Sequence, residues 1–431
     1  MKNKIIKIFI LFLFFLVALT CYFVFEKRKE TSTEIINYAP ETIIPSLKTE
    51  FSNKFEKNNH KIPKSVGQYK KSVYRDFGYV ELYLINPLEY KIPNEKCETD
   101  LCKRIISEIN NAQKAIDIAI YGMGQQRDIF QALINAKNRG VEIRIIVDLD
   151  KNSLNIYPLT QELIDNFNVK ADMSSSLMHN KFLIFDNKIL LTGSANISST
   201  GTGGYNSNIA IIVKDENIIK QYITEFNQMF EGKFSLAKEK FINNEINKIV
   251  PYFSPQDDIY NSLILPEIKN AKKSIYISAF YLTDLNLIEE LIKAKARNIN
   301  VLVLLDATSA MNFKNRVQHL RENNILAIVE NWGGKNHEKT IVIDDEKLIL
   351  GSCNFSKSAF YKNDENVILV NDAEIAKFYS DYYLYLFNLI PKKFLYSIPR
   401  AEGLESINSC YDGIDNNFDE KIDSEDVGCK K

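Results

Sequence analysis

Two short stretches of the chain place a histidine and a lysine two positions apart, just ahead of an apolar run. The first has His179 and Lys181, then Asp186, and after it Gly193, Ser194 and Asn196. The second repeats the pattern 158 residues further on, with His337, Lys339, Asp344, Gly351, Ser352 and Asn354. In an extended segment positions i and i+2 share a face, so each copy projects an imidazole and an ammonium side by side. Only four histidines occur in the chain (His60, His179, His319 and His337), and two of them occupy these matched settings. A single His-x-Lys is most simply a surface strand. Two copies trailed by the same Asp and the same Gly-Ser-x-Asn are a site signature.

Phosphoryl transfer is the chemistry these types suit. It needs a nucleophile, an acid for the leaving oxygen and positive charge on the phosphoryl oxygens. Imidazole, with an ordinary pKa of about 6.5, can attack when neutral and donate when protonated. Lys181 and Lys339 supply fixed charge, and Ser194, Asn196, Ser352 and Asn354 are expected to add neutral donors to a bound phosphate. Asp186 and Asp344 are expected to orient or tie their own motif and not to touch substrate.

The elements that must position these residues are legible as a duplication. Strands are expected over residues 79–85, 115–121, 141–147 and 168–172, with helices near 101–111, 128–138 and 161–167. This strand–helix alternation predicts a mostly parallel sheet covered by helices. Residues 271–280 match 112–121, residues 294–297 match 136–139, and Asp306 matches Asp148, at offsets of 158 or 159. Two copies are too few for a solenoid, so two homologous lobes facing each other are expected. The expected division is 1–30, 31–74 as a polar linker, 75–250 and 251–395 as the lobes, and 396–431 as an acidic C-terminal loop.

Composition agrees with a packed α/β protein: 431 residues, 45% hydrophobic and 25% charged. A net charge of −1 gives no global attraction to nucleic acid, so phosphate binding must be local. Residues 1–7 carry three lysines, residues 8–25 are almost wholly apolar and residues 26–30 are charged. Eighteen helical residues span roughly 27 Å, close to a bilayer core, and no small-x-small cleavage site ends the run. An uncleaved transmembrane anchor is expected, with a secreted form as the alternative. Cys97 with Cys102, and Cys410 with Cys429, read as two local disulfides and place the body outside the cytoplasm.

The double His-x-Lys-x(4)-Asp motif resembles the phospholipase D superfamily over about residues 75–390. The resemblance implies two similar lobes related by a pseudo-twofold, with both motifs meeting in one site. It also implies phosphodiester cleavage or transfer through a phosphohistidine, with no cofactor for catalysis. Following many family members, His179 is assigned as nucleophile and His337 as general acid; the residues alone leave the reverse open. The family often carries an acidic residue in an Asn-x-Glu setting. The second half has it at Glu365, a candidate support for the opposite lobe's histidine, but the first half has Asn206-Ser-Asn208. Trp332, with Gly333 and Gly334, is expected at the site mouth or in packing, and Cys353 in small-residue packing.

In the tail, Asp415, Asn417, Asp419, Lys421 (by its carbonyl), Asp423 and Asp426 resemble an acidic calcium loop, although Glu420 replaces the usual glycine; a solvated acidic tail is the alternative. The functional expectation is a membrane-anchored phosphodiesterase acting on phospholipids as a monomer, since one chain holds both motifs. A nuclease of the same superfamily and a catalytically idle surface-binding protein are the alternatives.

Overall fold

A computed structural model describes residues 62–64, 69–150, 153–240 and 247–430. The expected anchor at 1–30 and His60 lie outside the described residues. Among the described residues no helix is long and apolar enough to cross a membrane.

Short runs of Ile, Leu, Val and Phe form strands buried on both faces. The first sheet comprises β1 (Val73–Asp76), β2 (Val80–Ile85), β3 (Ala115–Ile120), β4 (Glu142–Asp148), β5 (Asn168–Asp172), β6 (Lys181–Phe185), β7 (Ile189–Gly193) and β8 (Asn208–Val213), in the order β1-β2-β8-β7-β6-β3-β4-β5. The second comprises β9 (Ile249–Ser254), β10 (Ser274–Ala279), β11 (Asn300–Leu305), β12 (Leu326–Val329), β13 (Lys339–Ile343), β14 (Lys347–Gly351) and β15 (Glu365–Val370), in the order β12-β11-β10-β13-β14-β15-β9. Apart from β1, the two orders correspond strand for strand, as the duplication requires. The second sheet begins at Ile249, so its first strand spans the expected division near 251.

The expectation of mostly parallel sheets is corrected. Only β3–β4–β5 and β10–β11–β12 run parallel; every other pairing is antiparallel. The cause lies in the motif itself. Asp186 and Asn187, and likewise Asp344 and Asp345, take positive φ, which Asn and Asp tolerate better than other side chains. They turn β6 back into β7 and β13 back into β14 as hairpins.

Alternation along each motif strand divides its apolar side chains between two helical layers. Leu183 and Phe185 face a core with Ile105, Ile109, Ile129 and Leu133 of the helices Asp100–Asn111 and Arg127–Asn138. Phe182 points the other way, its ring 5.0 Å from Tyr222 of the helix Glu216–Phe230. That helix also reaches the second sheet, where Tyr222 lies 4.9 Å from Phe253 of β9. Its counterpart Ala373–Leu389 does the reverse: the Tyr379 hydroxyl bonds Thr340 of β13, while the Tyr382 hydroxyl donates to the Ile85 carbonyl of β2 at 2.9 Å. These two helices therefore lie between the sheets and hold both lobes in one compact unit, Asn59–Lys431.

Candidate active site

The histidines meet because backbone bridges cross from lobe to lobe just before each motif. Met178 pairs with Asp364, and Ser207 pairs with Asn336. The His179 amide donates to the Asp364 carbonyl at 2.9 Å, and the His337 amide donates to the Ser207 carbonyl at 3.0 Å. Each histidine is thus pinned by the opposite lobe. Both rings line one cavity of about 760 Å³, so the two motifs form a single site.

Side chains repeat the exchange. His179 Nδ1 lies 2.8 Å from Glu365 Oε2, and the Ser352 hydroxyl donates to the same oxygen at 2.6 Å. His337 Nδ1 lies 3.0 Å from the Ser194 carbonyl and 3.2 Å from Asn208 Oδ1, while the Ser194 hydroxyl donates to Asn208 Oδ1 at 2.9 Å. Donation from Nδ1 to these acceptors leaves Nε2 of each ring with its lone pair.

The expected donor set is therefore divided. Ser194 and Ser352 are fully buried and committed to the clamps behind the rings, which corrects their placement as phosphate donors. Asn196 and Asn354 do line the cavity, and the amide oxygen of each has no partner. Lys181 and Lys339, each 2% exposed, donate back to the carbonyls of His179 and His337 at 2.8 and 2.7 Å.

Asp186 accepts from the amides of Gln113, Lys114 and Ala115 at 2.7 to 3.0 Å, and Asp344 accepts from those of Lys272, Lys273 and Ser274 at 2.6 to 2.8 Å. Both sit at the far end of their strands from the cavity, tying the hairpin to the start of the neighbouring strand. Both aspartates tie their own motif and take no place among the groups that line the cavity. Burial pushes the Asp186 carboxyl upward, but the three amides outweigh it and hold it below the ordinary aspartate value.

Electrostatically the cluster is short of an anion. Burial, then the ammoniums of Lys181 and Lys339, hold the His179 imidazole well below its ordinary value, and His337 is lowered in the same way. Burial pulls Lys181 down to about 7 against the attraction of Glu365 and Asp148. Lys339 falls well below the usual lysine range, through burial and then Lys181. Burial pushes Glu365 up to about 8 despite Lys181. A phosphodiester monoanion entering between the rings opposes the depressions of the lysines and histidines.

Several cavity residues carried no sequence signal. Tyr121 packs its ring 5.8 Å from His179, and Phe280, its counterpart in the repeat, lies 5.0 Å from His337. Their matched positions in the repeat were the one available clue. Gly333 and Gly334 do line the cavity, where a Cβ on either would collide with Tyr205. Trp332 does not: it is buried and bridges Ile407 of the C-terminal segment. Cys353 is a buried free thiol, and His319 pairs at the surface with Glu289.

Both expected disulfides are present, Cys97–Cys102 and Cys410–Cys429. Among the described residues no three His, Cys, Asp or Glu side chains gather as a ligand set, and the side chains of the expected calcium loop bond mainly to one another and to loop amides. Asp415 spends its carboxylate on the Asp419 and Glu420 amides, and Asp423 on those of Asp412 and Gly413. Asn417 donates to Asp426, Asp419 caps the Lys421 amide, and without a glycine at Glu420 that residue takes positive φ itself.

A duplicated α/β fold with one His-x-Lys pair from each half in a shared cavity defines the class. The chain belongs to the phospholipase D-like family: the description "cardiolipin synthase, PLD-like domain" matches residues 105–230 and 264–386, more than half of the chain. It is 34% identical over 133 residues to a phospholipase D of Rickettsia bellii, a match covering 31% of this chain and 66% of that protein. It is 25% identical over 138 residues to the human mitochondrial cardiolipin hydrolase, covering 32% of this chain and 54% of that one. The chain thus spans just under two thirds, or less, of the Rickettsia relatives it matches. The crystal structure of phosphatidylserine synthase from Haemophilus influenzae Rd KW20 shares the fold, with a TM-score of 0.54 at 13% identity over 79% of this chain and 93% of that one.

Proposed function

We propose that the protein is a phospholipase D-type phosphodiesterase that cleaves or transfers phospholipid head groups through a phosphohistidine. The observation that carries this reading is the convergence of both histidines on one cavity whose mouth is edged by Ile92, Ile156 and Phe418, which are 55%, 56% and 61% exposed. Such an edge suits acyl chains and not a sugar–phosphate backbone.

His337 takes up a proton on Nε2 when the phosphodiester monoanion binds and opposes its depression. His179 Nε2 then attacks phosphorus, the bond from phosphorus to the leaving alcohol breaks, and His337 gives that oxygen the proton. Water or a second alcohol then attacks the phosphohistidine, passing its proton to His337, and His179 is released. The clamps favour this assignment. Glu365 on Nδ1, held up to about 8 by burial in the free protein, is drawn back to the carboxylate by the positive charge that His179 acquires on forming the phosphoramidate, whereas His337 has only neutral acceptors. One chain completes the site, so the monomer is the active form. The two disulfides support a body outside the cytoplasm, held at the membrane by residues 1–30.

The test incubates the full chain with labelled liposomes, DNA and RNA in EDTA. Lipid turnover with an acid-sensitive phosphoenzyme, both lost in His179→Ala, is expected. Cleavage of nucleic acid with lipid left intact overturns the reading in favour of a nuclease, and no turnover of either favours an idle binding protein.

A further inference from the structure

The family match covers residues 105–230 and 264–386, and chain outside those segments braces each of the two bridges that bring the histidines together. On the His179 side the brace lies between the matched halves. The Ser235 amide donates to Asp364 Oδ1 at 2.8 Å, and the buried Lys238 Nζ lies 2.6 Å from the same oxygen. Asp364 in turn carries the carbonyl that accepts the His179 amide. The His337 bridge has Ser207 at the matching place, which offers no carboxylate to hold.

There the C-terminal tail supplies the brace. Residues 331–336 lead directly into His337, and the tail grips them along their length. The Ile407 amide donates to the Asn331 carbonyl at 2.7 Å, and Asn331 Nδ2 donates to the Glu405 carbonyl at 2.9 Å. Asn416, 1% exposed, donates from Nδ2 to the Gly333 carbonyl at 2.8 Å, and its own carbonyl accepts from Lys335 Nζ. The first-lobe side of the bridge is caught as well. Asn416 Nδ2 donates to Asp412 Oδ2 at 2.9 Å, and that oxygen also accepts from the Tyr205 hydroxyl. Two residues after Tyr205, the Ser207 amide donates to the Lys335 carbonyl at 2.8 Å, and the Ser207 carbonyl accepts the His337 amide. Asp412 and Asn416 therefore tie together both segments that meet at His337, inside a span closed by Cys410–Cys429.

Resting on the proton-transfer role given to His337 above, we propose that Asp412 and Asn416 are positioning residues for that imidazole. The tail fixes the place of residues 331–336 and so keeps His337 within hydrogen-bond reach of the leaving oxygen, as proton donation requires. A shift of about 1 Å in such a group costs about 100-fold in rate. The loss falls on the steps that His337 serves, because His179 is braced by Ser235 and Lys238 instead.

The test measures single-turnover phosphoenzyme formation by the full chain in detergent micelles containing phosphatidylethanol or phosphatidyl-p-nitrophenol. The two lipids share one phosphatidyl group, but ethanol needs a proton to leave and nitrophenolate does not. In Asn416→Ala, formation from phosphatidylethanol should slow by about 100-fold, and formation from the nitrophenyl ester by far less. Hydrolysis of the phosphoenzyme, in which His337 takes the proton of water, should slow in step, so phosphoenzyme accumulates on the nitrophenyl ester. Tyr205→Phe keeps the ring against the cavity and removes only the bond to Asp412. It should shift the two rates in the same direction, and it carries the test if Asn416→Ala does not fold. Equal losses on the two lipids, or no loss on either, overturn the proposal alone. Failure of the unaltered protein to form phosphoenzyme from either lipid overturns the lipid reading and this proposal with it.

Discussion

Glu365 and Asn208 occupy matching places in the two clamps, and the difference of one carboxylate sets the two rings apart. Glu365→Gln keeps the shape of the His179 clamp but removes the charge that a phosphohistidine requires. Its kcat should fall about 100-fold, within the usual range for loss of acid–base support, and phosphoenzyme should accumulate more slowly. An unchanged rate of phosphoenzyme formation would mean that His179 is not the nucleophile. The titrations fix the pH dependence. With its value lowered to about 7, Lys181 is charged below that pH and neutral above it. The imidazoles, held well below 6.5, stay neutral into the mildly acidic range. So kcat/KM, which reports the free protein, should fall as pH rises above about 7 and Lys181 loses its charge. The corresponding limb of kcat should lie at higher pH, because bound phosphodiester favours the charged lysine. Coincident limbs in the two profiles would show that substrate does not contact this cluster.

The motif aspartates belong to the hairpins. Asp186→Ala removes the acceptor of three amides and leaves a positive-φ position to alanine. Stability should fall by about 2–3 kcal/mol, read by denaturant unfolding, with Asp186→Asn losing less. Full stability combined with lost activity would instead return Asp186 to the chemistry. This part of the design was largely legible in the sequence, because a duplicated motif exposes both the repeat and its common strand. The direction of the sheets was misread, since a strand–helix rhythm reports crossovers and says little about the hairpins that follow. The serines were misassigned for a different reason. Ser352 bonds Glu365 on the neighbouring strand of its own lobe, and that carboxyl becomes part of a clamp only through pairing between lobes, the His179–Glu365 contact spanning 186 residues. Glu365 itself could be named because Asn-x-Glu is a family setting, whereas Tyr121 and Phe280 are apolar-run residues until folding brings them beside the rings.

At the scale of the molecule, two segments anchored by disulfides contribute to the lining of the cavity. Cys97–Cys102 ties down the end of the segment that carries Ile92, Pro93 and Glu95, and Cys410–Cys429 closes the tail that carries Phe418. Together with Ile156 these segments present an apolar rim around a charged floor, an arrangement suited to drawing a single lipid from a bilayer while its neighbours stay in place. Burying one such isoleucine contributes about 1.5–3 kcal/mol, and an aspartate in its place must also be desolvated. Ile92→Asp and Ile156→Asp should therefore each raise KM on vesicles by roughly tenfold or more. Both should change kcat far less on a water-soluble short-chain phospholipid, because neither side chain is in the clamps that hold the histidines. Vesicle co-sedimentation should weaken in parallel. Were both substrates affected equally, the rim would be shaping the cavity itself and not meeting a membrane, and the lipid surface would have to engage the protein elsewhere.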